Sequence, residues 1–168
     1  MLRLSPHSFC DTFVDLHLKS PLLHAYEFMG ISREGSSEFD VLSSFAAHHH
    51  WYFELEKLKT FLKQPSNAIV ITCKSQKIEW VNRGFTRMTG YSANEALGRT
   101  PKFLQGKETS VSVRKMIRES LEQEKKFSGQ VLNYRKTGEL YVCDVEILPI
   151  YNRSKELVNF IALEKEVA

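Results

Sequence analysis

The chain has 168 residues, enough for one ordinary domain with additional helix and for a core that needs neither disulfides nor metal. Hydrophobic residues make up 42% and charged residues 26%, which excludes disordered and collagenous classes. Lys plus Arg total 23 against 20 Asp plus Glu, a net charge of +3, and no basic stripe points to nucleic acid.

Three cysteines, Cys10, Cys73 and Cys143, are odd in number and far apart, with no CxxC pair. They suit a reducing compartment rather than a disulfide framework or a zinc site. Pro6, His7, Asp11 and Asp15 break any signal-like apolar run, and no stretch approaches the ~20 residues of a membrane helix. These features predict a cytoplasmic protein without a membrane partner.

In chain order, Ser5-Pro6 and Ser20-Pro21 each read as a helix start, and Gly30 reads as a stop, so residues 1–36 form an N-terminal helical segment. Ser37 with Asp40 resembles a capping box opening a long amphipathic helix over residues 37–65, ended by Pro65. Phe39, Leu42, Phe45 and Ala46 start its apolar stripe, and Trp51, Leu55, Leu58 and Leu62 continue it. Such a seam suits packing within the chain or a homodimer.

From Ala68 the period shortens. Ala68–Thr72 and Lys77–Val81 read as strands joined by a turn at Lys74-Ser75-Gln76. Short helices follow at Asn82–Met88 and Ser92–Leu97, the second with a Ser92/Glu95 capping box, then a helix at Ser110–Glu124. Ser128–Tyr134, Glu139–Ile150 and Leu157–Val167 complete five strands. The expected class is α+β: a five-stranded antiparallel sheet with short helices on one face, over residues 66–168, preceded by the helical extension.

Val81-Asn82-Arg83-Gly84-Phe85, Thr89-Gly90-Tyr91-Ser92 and Glu95-Ala96-Leu97-Gly98-Arg99 resemble the PAS domain superfamily. Phe103-Leu104-Gln105-Gly106 and Leu132-Asn133-Tyr134-Arg135-Lys136 with Gly138 are similar to its light-oxygen-voltage (LOV) branch, the flavin-binding blue-light sensors. The likeness covers about Ser66 to Val167. In light-responsive LOV domains a cysteine within G-x-N-C-R-F-L-Q-G bonds to the excited flavin. Here that position is Pro101, which has no thiol, so the resemblance implies a domain unable to form the adduct.

The resemblance also implies cofactor-binding positions. Lys102 and Arg118 match two arginines that hold the flavin phosphate, although Lys lacks the planar fork. Gln105 and Asn133 match amides on the flavin ring. Thr100 replaces one family asparagine, Cys143 replaces another with a weak donor, and Glu164 stands where the family has its terminal glutamine. A protonated Glu presents one donor and one acceptor much as Gln does, whereas an ionised one would repel an anionic flavin.

His48-His49-His50 does not read as a metal site, because consecutive helical residues point about 100° apart. The absence of any histidine after His50 argues against haem, and no nucleotide, hydrolase or zinc-protease motif suggests an enzyme. Glu54, Glu56, Glu122 and Glu124 are balanced by Lys57, Lys59, Lys125 and Lys126, which reads as helix-face charge pairing rather than acid–base catalysis. The reading is a sensory module, signalling through helix docking or dimerisation to a partner protein. The alternative is a cysteine-less flavoprotein that binds FMN and responds to light or redox by flavin reduction.

Overall fold

Two helices open the described part of the chain, residues 37–167 of the computed structural model. The helices expected within residues 1–36 lie outside it. Helix α1, Glu38–His48, begins with the expected box: Asp40 N–H donates to Ser37 Oγ at 3.2 Å and Ser37 N–H to Asp40 Oδ2 at 2.9 Å. The single helix expected over 37–65 is not formed. α1 stops at His48, His50 takes a left-handed φ of 52°, and Trp51–Tyr52 form a short strand, β1. Helix α2 then runs Leu55–Phe61.

The apolar phase explains the break. Ala46 to Trp51 is a step of five residues, which in a continuous helix would turn Trp51 about 140° off the stripe. Breaking the helix lets both halves face the sheet. Leu58 is fully buried, and Trp51, Leu55 and Leu62 pack around it with Leu42 and Phe45. Of the four residues expected as a dimer seam, Leu58 is core within the chain, and Trp51, Leu55 and Leu62 are partly buried against it.

β2 (Ala68–Cys73) and β3 (Ile78–Val81) pair antiparallel, and β4 (Phe127–Tyr134), β5 (Leu140–Asn152) and β6 (Leu157–Val167) follow late in the sequence. The sheet order is β3-β2-β6-β5, with all pairings antiparallel. β4 and β1 share the far edge of β5: β4 pairs with Leu140–Ile147 and β1 with Tyr151 and Asn152. The five expected strands therefore form, and β1 is an addition. Every residue of β2 is buried because the sheet is covered on both faces. Ile69, Ile71, Ile161 and Leu163 meet α1 and α2 on the outer face, while Val70, Val131, Cys143 and Val145 look into the inner core.

Short helices α3 (Arg83–Thr89) and α4 (Ala93–Ala96), a 3₁₀ turn (Pro101–Leu104) and helix α5 (Val111–Glu122) cross the inner face. Asn82 anchors their start. Its Oδ1 accepts from Phe85 N–H, capping α3, and from Ile69 N–H in β2, while its Nδ2 donates to Asn67 O. Gly84 is required here, since a Cβ would lie 1.8 Å from Asn67 O. Gly90, at φ 76°, ends α3 in the left-handed conformation expected of a glycine stop.

Candidate functional site

Between the inner face of the sheet and the crossing helices lies a cavity of about 550 Å³, a size suited to a small organic ligand. Its apolar walls come from strand alternation: Val70, Val131, Val145 and Phe160 point inward from β2, β4, β5 and β6, and Leu104 and Ile117 face them. Polar groups occupy separate walls. Asn133, Cys143 and Glu164 stand on the sheet, whereas Lys102, Arg114, Lys115 and Arg118 come from the 3₁₀ turn and one face of α5.

The sheet group is assembled by register. Cys143 on β5 pairs with Val131 on β4 and with Glu166 on β6, so Asn133 and Glu164 are its diagonal neighbours on the same face. Asn133 is 7% exposed and its Oδ1 has no hydrogen-bond partner; Glu164 is 6% exposed and its Oε2 has none either. Burial pushes the Glu164 carboxyl up to about 7, opposed by a hydrogen bond from the Cys143 thiol. Burial also raises the Cys143 thiol, with the Glu164 and Asp144 charges adding to it, which leaves this sulfur a poor nucleophile at neutral pH. A buried acceptor without a donor is costly, so these two oxygens call for a polar ligand edge.

The helical wall is cationic. Arg114, Lys115 and Arg118 share a face of α5 at spacings of one and three residues, and Lys102 sits on the preceding turn. Lys115 meets Glu119 at 3.7 Å and Arg118 meets Glu122 at 4.0 Å, both along the helix surface. Lys102 and Arg114 make no ion pair among the described residues. The cavity therefore has an uncharged apolar middle, hydrogen-bonding groups on the sheet and positive charge on the helices.

Six of the seven expected cofactor positions line this cavity: Lys102, Gln105, Arg118, Asn133, Cys143 and Glu164. Thr100 does not; it is the N-cap of the 3₁₀ turn and its side chain makes no capping bond. Pro101 lines the cavity at the first position of that turn, where a proline loses no helical hydrogen bond. Arg114 and Lys115 were not legible as site residues, although their spacing from Arg118 on a predicted helix was the available signal. Cys73 lies away from the cavity, its Sγ 3.1 Å from Ser75 Oγ. Among the described residues no His/Cys/Asp/Glu group could hold a metal, and no helix is long and apolar enough to cross a membrane.

A model of the PAS domain matches residues 66–167. The chain belongs to the PAS domain family. Among its relatives, the nitrogen fixation regulatory protein of Klebsiella oxytoca is 31% identical over 109 residues, which are 65% of this chain and 22% of that protein. A blue-light photoreceptor of Listeria monocytogenes is 33% identical over 119 residues, 69% of this chain and 47% of that protein. The chain thus spans about a fifth to a half of these relatives. A structure solved in flavin-analogue work on a light-oxygen-voltage domain superposes with a TM-score of 0.61 at 30% identity, covering 67% of this chain and 85% of the other. Within the PAS family the likeness is to the LOV branch, and the domain is a sensory, signal-transducing module.

Proposed function

We propose that this PAS domain senses through FMN held without a covalent bond, and passes the state of its cavity to the elements on the outer face of the sheet. The observation that carries the reading is the pairing of two buried, partnerless oxygens, Asn133 Oδ1 and Glu164 Oε2, with a cationic helical wall in one cavity. A ligand with a polar ring edge and an anionic tail meets both demands, and FMN has that form. When bound, FMN supplies a ring that absorbs blue light and accepts electrons.

Each wall then has a task. Lys102 and Arg118 would neutralise the phosphate, Arg118 with a planar fork suited to it. Gln105, Asn133, Cys143 and Glu164 would hydrogen-bond the ring and fix its orientation. Pro101 presents no thiol to the cavity, and the buried Cys143 keeps its proton, so the ring stays unattached. α1 and α2 cover the opposite face of the same strands, with β1 at the edge of β5, and in this reading they pass a change to a partner protein or a second copy. Sensing rather than catalysis is the role assigned to the domain itself.

The test is the visible spectrum of the purified protein incubated with FMN, before and after blue light. A bound flavin spectrum that is never converted to the cysteinyl form supports the reading. Protein that stays colourless at saturating FMN sinks it.

A further inference from the structure

We propose that Glu164 receives the ligand as the neutral acid, so that filling the cavity takes up one proton at this carboxyl. This rests on the flavin reading above and concerns how the ring edge is recognised.

Beyond the Cys143 thiol, the surroundings of Glu164 give its charge little support. It sits on β6 between Ala68 of β2 and Val145 of β5, both apolar. Of the titratable groups around it, Cys143 and Tyr141 on β5 keep their protons chiefly through burial, and neither offers a counter-charge. On its own strand, Glu166 is engaged by Arg135 at 2.5 Å, and Lys165 alternates to the other face. The cations across the cavity, Lys102, Arg114, Lys115 and Arg118, make no ion pair with it. The cavity, which Glu164 lines, is the remaining side from which the ionised form can be solvated. A ligand that fills the cavity and excludes solvent makes the carboxylate costlier still, so binding and protonation favour each other.

Chemistry of the neighbouring oxygen agrees. Asn133 Oδ1 is a buried acceptor without a partner, and protonated Glu164 presents a donor of its own to the cavity. Together they present an acceptor beside a donor, which complements a lactam or imide edge carrying adjacent N–H and C=O groups. An ionised Glu164 would present two acceptors to the same edge and leave its carbonyl unpaired.

Riboflavin is the probe of choice, because it has no phosphate to titrate in the same range. Its binding is followed by calorimetry between pH 6 and pH 8 in buffers of different ionisation enthalpy. With the free carboxyl titrating near 7, affinity is expected to be roughly tenfold weaker at pH 8 than at pH 6, with uptake approaching one proton at the higher pH. Glu164→Gln should still bind, lose the pH dependence and take up no proton. Binding by the unaltered protein without proton uptake overturns this proposal and leaves the flavin reading standing. An unchanged pH slope in Glu164→Gln also overturns it. Absence of riboflavin and FMN binding at every pH removes both. Should Glu164→Gln not fold, the proton count of the unaltered protein decides alone.

Discussion

The indole N–H of Trp51 donates a 3.1 Å hydrogen bond to Oδ1 of Asn159, which ties β1 to β6. Asn159 in turn donates from Nδ2 to Thr72 O at 3.0 Å and to Glu79 Oε2 at 2.8 Å. Thr72 lines the cavity, so one amide joins the cavity wall, the sheet and the N-terminal strand. Asn159→Ala strands the indole donor and weakens support for β3. A loss of about 2 kcal/mol in urea denaturation is expected, larger than the loss in Trp51→Phe, which keeps most of the packing.

Leu58 separates core from interface. Leu58→Ala should cost about 2–5 kcal/mol in chemical denaturation, the range for a fully buried leucine. Leu58→Asp should unfold the chain rather than release a folded monomer. A well-folded Leu58→Asp protein with altered sedimentation would restore the dimer seam.

Stability has two opposed pH dependences. Glu164 titrates near 7 in the folded chain against an ordinary value of 4.5, so its contribution is complete below pH 4.5 and lost as pH rises through 7. The shift corresponds to roughly 3 kcal/mol. His49 runs the other way: burial, then the neighbouring His48 and His50 charges, lower it to about 4 from 6.5, so its contribution is present above 6.5 and lost as pH falls through 4. The two oppose each other in mild acid, and Glu164 governs alone above it. Urea midpoints of the ligand-free protein should fall between pH 6.5 and 8, and Glu164→Gln should flatten that decline.

The cationic wall sorts ligands by their phosphate. Lys102→Gln and Arg118→Gln should each weaken FMN by about tenfold while leaving riboflavin nearly unaffected, as expected for one charge-assisted contact of about 1–2 kcal/mol. Fluorescence titration checks this at two salt concentrations, with the difference shrinking at the higher one. Equal losses for both flavins would place these cations away from the phosphate.

Strand periods, caps and glycine stops made nearly all of the sheet and the inner helices legible, because each rests on local chemistry. The Ser37/Asp40 and Ser92/Glu95 boxes form as read. The break after His48 was harder to see: helical spacing within each half hid the five-residue step between Ala46 and Trp51. Asn133 and Glu164 could be matched one at a time, but their shared lack of partners depends on strand register. Register emerges only when distant segments pair. Thr100 shows the reverse, a matched position whose side chain does not reach the cavity wall.

β5 carries partners along one edge in two pieces, β4 opposite residues 140–147 and β1 opposite Tyr151 and Asn152. Between them Leu148, Pro149 and Ile150 have no strand neighbour on that side. An uncovered strand edge invites pairing with another chain, yet this gap is only three residues long and its central residue has no N–H to offer. The two flanking segments close the approach from either end. The longest strand of the domain therefore presents no usable template for intermolecular sheet growth along its split edge, even though it is shared by two separate partners.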